Sequence, residues 1–191
     1  MRMLTSSDVS QSDSGPRREL NVRAFVGRLA AARIGRTYNQ YAESAVCRER
    51  LGAYLEQRRE TRYVLVGEAA GYRGARVSGI PFTSERQLTG TGPAEATATV
   101  VRRTLDELGV AEDVLLWNVV PTHPGTVGAN RRPTRAEIRG GMPFLEELLI
   151  GRVPIAVGRV AQAVLGGQYV RHPSHGGAVE FRAGLLLSIR R

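Results

Sequence analysis

Apolar positions along the chain alternate between two periods. Leu20, Phe25, Val26, Leu29, Ala30 and Ile34 follow helical spacing and predict a first helix over 17–34. Tyr41, Ala45, Val46, Leu51, Tyr54 and Leu55 predict the inner face of a second helix over 39–59. An apolar, β-branched run at 62–66 then predicts a buried strand. After a long connection from Arg76 to Thr91, a helix is expected over 93–108, with Pro93 at its start and Gly109 just past its end. Val114 to Val120 reads as a strand buried on both faces. Thr134 followed by Glu137 is a capping box and opens a helix running to about Ile150. Val153–Val157 predicts a third strand, 159–165 a helix, Gln168–Arg171 a fourth strand and 178–190 a last helix. Strands alternating with helices predict an α/β class: a single domain with a central, mostly parallel four-stranded sheet flanked by helices on both faces.

In such a sheet the carboxyl ends of the strands share one edge, which is where ligands bind. Three of those ends carry polar groups. Glu68 follows strand one inside a loop with glycines at 67, 71 and 74, Asn118 lies near the end of strand two, and His172 follows strand four. A carboxylate, an amide and an imidazole are therefore expected to converge. Each has a plainer reading by itself. The glycine loop suits a phosphate loop or a tight turn, Asn118 suits an Asx turn, and His172 suits a loop brace beside Pro173.

Composition narrows the chemistry. The 191 residues are 42% hydrophobic and 24% charged, as in a globular domain with a sizeable core. No apolar run is long enough to span a bilayer, so no membrane partner is expected. Met1–Pro16 is rich in Ser and Asp and lacks the apolar segment of a secretory signal; it is expected to be a disordered tail before a domain at 17–191, in a cytoplasmic protein. The net charge of +9 favours a polyanionic partner, nucleic acid above all. All 27 cationic residues are arginine, a bias that base composition of the genome also produces. A single cysteine, Cys47, excludes an internal disulfide or a Cys-ligated metal cluster. His123, His172 and His175 fit no metal-ligand spacing, so neither metal nor cofactor is expected.

Five segments, in order, carry a resemblance: Gly67-Glu68-Ala69-Ala70-Gly71, Gly79-Ile80-Pro81-Phe82, Trp117-Asn118-Val119-Val120, Ile155 to Gln162, and His172-Pro173-Ser174. Together they resemble the motifs of the uracil-DNA glycosylase superfamily, most closely its family 4, over about residues 60–190. The resemblance implies a monofunctional glycosylase that flips uracil out of DNA and hydrolyses its glycosidic bond, acting as a monomer. It implies Glu68 and His172 as catalytic residues and Gly67, Phe82, Asn118 and Tyr72 around the uracil, with Tyr72 excluding the thymine methyl. Ser174, His175, Gly176, Arg131 and Arg171, with Arg132, would meet the DNA. Departures leave a glycosylase for another deaminated base, or a non-catalytic DNA-binding member, as alternatives. The iron–sulfur cysteines of family 4 are missing, and Ala70 replaces a proline. Ala69 stands where family 1 has a water-activating aspartate, and Gly74 stands near the family 4 glutamate that excludes thymine.

Overall fold

A computed structural model describes residues 19–174 and 176–189. The expected N-terminal tail and His175 lie outside the described residues. The first helix, α1 (Val22–Ala31), begins later than its apolar spacing predicts, because Asn21 caps it by accepting the Ala24 N–H at 3.0 Å. The helix expected over 39–59 is two helices, α2 (Gln40–Glu43) and α3 (Ala45–Gln57). Ser44 separates them by capping α3 through its hydroxyl, which accepts the Cys47 N–H. This break turns Cys47 inward and leaves Ala45 and Val46 exposed, contrary to the predicted inner face.

Strand β1 (Tyr63–Ala69) runs three residues further than its apolar core, so Gly67 and Glu68 belong to the strand, not to a loop. The connection that follows is not irregular: it contains α4 (Ala75–Ser78) and α5 (Glu85–Thr89). Then come α6 (Ala96–Glu107), β2 (Val114–Val120), α7 (Arg135–Leu149), β3 (Val153–Val157), α8 (Arg159–Leu165), β4 (Tyr169–Val170) and α9 (Ala178–Ile189). None of the helices among the described residues is long and apolar enough to cross a membrane.

The four strands lie in the order β2-β1-β3-β4 and every pairing is parallel. Side chains alternate across the sheet, which divides the core in two. Val64, Val66, Leu115 and Trp117 pack against α1, α3 and α7. Phe25 of α1 meets Trp117 edge-on at 5.7 Å and Phe144 of α7 at 5.6 Å. Tyr63, Leu65, Val114, Leu116 and Ile155 pack on the other face, against α6 and α9. Strand parity then determines which way the polar strand ends point. Gly67 and Asn118 share the parity of Leu65 and Leu116, while Glu68 has that of Val66.

The capping box at the start of α7 is present: the Thr134 hydroxyl accepts the Glu137 N–H at 3.2 Å, and the Glu137 carboxylate accepts the Thr134 N–H at 2.8 Å. Glu137 does more than cap. Although only 1% exposed, it also receives both arms of the Arg131 guanidinium, at 2.8 and 2.6 Å, and the Arg36 N–H. It thus ties the segment before α7 to the chain after α1. The Arg131 hydrogen bonds, helped by the Thr134 amide, hold its carboxyl down at about 2. Glu137→Gln should therefore lower stability by about 3 kcal/mol at neutral pH. The stabilisation is complete above the ordinary carboxylate value of 4.5 and is lost as pH falls through about 2. Urea unfolding of both proteins across that interval should show the difference between them shrinking.

Candidate active site

The carboxyl edge of the sheet opens into a cleft of about 590 Å³ whose walls include Glu68, Phe82, Asn118 and His172. The parallel sheet brings these residues to one place from four segments.

The floor is made by a close approach. Gly67 pairs in register with Asn118. A Cβ at Gly67 would overlap the Phe82 ring and lie 2.7 Å from Asn118 Oδ1, so only glycine leaves room for both side chains. Phe82 is the one non-glycine residue with positive φ among the described residues, at 51°. Its turn is firmly braced. The buried Ser78 hydroxyl donates to the Thr83 carbonyl at 2.7 Å and accepts the Ile80 N–H at 3.1 Å, and the Tyr41 hydroxyl donates to the Gly79 carbonyl at 2.9 Å. Strain of this kind persists only where its surroundings over-determine it, and it clusters at functional sites. Asn118 is 4% exposed, yet its side-chain amide makes no hydrogen bond among the described residues. A buried donor and acceptor directed at a cleft, with no protein partner, are poised for a ligand.

Glu68 is half-buried, and this burial raises its carboxyl above the usual range, with Arg132 opposing the shift. His172 Nδ1 lies 2.8 Å from the Ser174 hydroxyl and receives the Ser174 N–H at 3.2 Å. Accepting that amide hydrogen leaves Nε2 to carry the proton of the neutral ring, so Nε2 is the donor.

Other expectations change. Tyr72 is not part of the cleft wall: its N–H bonds Asn130 and its ring lies under the Arg73 guanidinium at 5.2 Å. Arg131 borders the cleft, but its guanidinium is committed to Glu137, so it braces a loop and is not a free cation. Arg171 lies off the cleft wall and pairs with Glu180 at 3.4 Å. Ser174 is on the wall, and Gly176 is in the exposed turn leading to α9. Among the described residues no group of His, Cys, Asp or Glu is arranged to hold a metal ion.

Three residues of the site escape the sequence reading. Arg159, at the first position of α8, borders the cleft, as does Arg132, and neither makes an ion pair among the described residues. His123 is fully buried beneath the glycine segment, with Nδ1 2.8 Å from the Ala70 carbonyl and Nε2 2.8 Å from the Thr126 carbonyl. It clamps two loops that border the cleft. Glu95, just before α6, places its carboxylate over Gly71 and Gly74, where a Cβ on either glycine would overlap it. Burial alone pushes the Glu95 carboxyl up, and no cation or donor counters it. For Arg159 the signals are its place in the segment Ile155 to Gln162 and the first position of a helix after a strand; for Glu95 there is none.

The chain resembles the crystal structure of wild-type SMUG2 from Pedobacter heparinus at a TM-score of 0.66 and 13% identity, covering 87% of this chain and 97% of that one. It also matches the wild-type UNG structure from Nitratifractor salsuginis at 17% identity and a TM-score of 0.47, covering 92% and 97%. No match was found among curated proteins. The family model of the uracil DNA glycosylase superfamily matches residues 55–187, more than half of the chain and every segment of the cleft described above. The chain therefore belongs to the uracil-DNA glycosylase superfamily and carries its single-domain α/β fold.

Proposed function

We propose that the cleft excises uracil from DNA by hydrolysis of the N-glycosidic bond, without strand cleavage by the enzyme itself. The observation that carries this reading is the unpartnered Asn118 amide, buried in the wall that also holds His172 and Glu68. The uracil edge presents O4 as acceptor and N3–H as donor, and one asparagine amide satisfies both. Cytosine presents the opposite pattern and would leave buried groups unpaired, which rejects an analogue by about 10⁴-fold. A base inside a duplex is out of reach, so the nucleotide must be extruded at a cost of a few kcal/mol. Stacking on Phe82 and phosphate contacts with Arg132 and Arg159 offset that cost.

As the bond to C1′ breaks, its electron pair leaves with uracil N1 and the sugar gains cationic character. His172 Nε2–H donates to uracil O2 as the negative charge grows. The Glu68 carboxylate stabilises the cationic sugar and orients the water, whose oxygen bonds to C1′ while its proton passes to the carboxylate or to solvent. A second reading, excision of a deaminated purine, is favoured by one observation: about 590 Å³ is ample for the larger ring system.

The test is incubation with oligonucleotides bearing uracil, hypoxanthine, xanthine or a T·G mismatch, followed by alkali. Strand breaks at uracil are expected, and Asn118→Asp should relax discrimination against cytosine by at least about tenfold. Breaks at hypoxanthine alone would establish the second reading, and tight binding without breaks would end both. His172→Ala should slow single-turnover excision by about 10²–10³-fold while DNA affinity changes by less than about threefold. Equal losses in rate and affinity would remove His172 from the chemistry.

The acid limb of the rate profile reports Glu68. Arg132 stabilises its ionised form, so Arg132→Ala should raise its pKa further and shift the acid limb of kcat/KM to higher pH. Arg132→Lys, which keeps the charge, should leave the limb in place.

A further inference from the structure

Four arginines among the described residues lie over tyrosine rings, and their surroundings differ. Arg58, over Tyr54, is committed to Glu112. Arg62, over Tyr63, stands at the amino end of β1, at the edge of the sheet away from the cleft. The other two adjoin the cleft. Arg73 lies 5.2 Å from the centre of the Tyr72 ring, and Arg76 lies 4.8 Å from that of Tyr38. Neither guanidinium makes an ion pair or a hydrogen bond among the described residues. A guanidinium attracted to the face of a ring keeps its N–H donors for another acceptor. None of these four side chains has a part in the scheme above.

Both pairs are fixed beside the cleft by backbone contacts. Gly71 and Ala75 belong to the cleft wall. Chain spacing puts the Arg73 Cα within about 8 Å of that of Gly71, and the Arg76 Cα about 4 Å from that of Ala75. The Gly71 carbonyl accepts the Gly74 and Arg76 N–H groups at 3.1 and 3.2 Å, which closes the segment into a turn. The Tyr72 N–H donates at 2.9 Å to Asn130, itself on the wall. Tyr38 exchanges both backbone hydrogen bonds with His123, at 2.8 and 2.9 Å, and the His123 ring meets the Ala70 carbonyl. The two aromatic faces are thus preorganised on the rim.

We propose that Tyr72 with Arg73 and Tyr38 with Arg76 form a ledge that grips backbone phosphates flanking the extruded nucleotide, on the strand that carries it. The proposal deepens the base-excision reading and rests on it. A nucleotide seated in the cleft leads its own strand across the rim, so its neighbouring phosphates come within reach there first. The opposite strand of a duplex lies a groove width further off, about 6–12 Å. Each guanidinium then makes charge-assisted hydrogen bonds to a phosphate and releases condensed counterions. The ring beneath each one restricts it beforehand, which lessens the entropy lost on binding.

The experiment measures equilibrium binding over a series of salt concentrations. The probes are labelled oligonucleotides, single-stranded or duplex, with one non-hydrolysable 2′-fluoro-2′-deoxyuridine or none. Wild type is compared with Arg73→Ala, Arg76→Ala, Arg73→Lys and Arg76→Lys. Arg23→Ala, an exposed position of α1 off the cleft wall, is the control. Each alanine variant at the ledge should weaken binding about fivefold at about 0.1 M salt. It should also flatten the slope of log K against log salt by about 0.9 on duplex and about 0.7 on single strand. The lysine variants keep the charge and should restore the slope, and Arg23→Ala should leave it unchanged. Arg76→Gln serves if Arg76→Ala does not fold, as judged by thermal unfolding. Unmoved slopes overturn the ledge. So does a slope flattened on duplex alone, which would assign these arginines to the opposite strand. A slope that lysine fails to restore, or an equal change in Arg23→Ala, reduces them to structural or general surface charge and overturns it as well. Wild type that binds modified and unmodified DNA alike counts against the base-excision reading, and the slopes still decide whether the ledge holds DNA.

Discussion

The site depends on how closely β1 and β2 carry their side chains past one another at Gly67. The parallel register sets Gly67 opposite Asn118, and the missing Cβ lets the Phe82 ring and the Asn118 amide share the space above it. Any side chain at this position would separate the two. Phe82 reaches the space only by adopting positive φ, a conformation costing about 1–3 kcal/mol. Ser78 and Tyr41 hold that turn from the far side by hydrogen bonds between buried groups. Strand register, a strained aromatic and a buried polar brace thus form one unit.

Charge is distributed around that unit by sign. Two carboxyls, Glu68 and Glu95, lie in the cleft wall, and burial makes both harder to ionise. Two cations border the same cleft, Arg132, whose charge acts on Glu68, and Arg159, and neither has an ion-pair partner among the described residues. Such an arrangement suits a ligand with a neutral ring and an anionic backbone, because each part meets the sign that tolerates it. Other arginines serve the fold. Arg131 is spent on Glu137, and Arg50 makes a two-armed contact with Glu85 that secures α5. A net charge of +9 therefore overstates the cations available to a polyanion at the cleft.

The supports of the site are as local as its chemistry. His123 has no contact with the space where a base would sit, yet it links the Ala70 and Thr126 carbonyls and so ties the glycine segment to the loop after β2. Glu137 does the same one step further out, joining the loop before α7 to the chain after α1. Both are fully or almost fully buried polar groups whose side-chain nitrogen or oxygen atoms all lie within hydrogen-bonding distance of a partner. Groups of this kind hold loops in place because any displacement leaves a buried donor or acceptor unpaired.

Residue order by itself determined the α/β class, the four strands, the capping box at Thr134 and Glu137, and the polar strand ends Glu68, Asn118 and His172. Apolar periodicity and capping are local properties, and parallel strands bring their carboxyl ends to one edge whatever lies between. Tertiary structure alone decided the rest. It split the second helix at Ser44, because a hydroxyl that caps one helix ends another. It took Tyr72 out of the cleft wall and diverted Arg131 to Glu137, since the partner a side chain finds depends on which segments fold against it. It also brought Glu95 over Gly71 and Gly74, a contact between segments more than twenty residues apart that no spacing encodes.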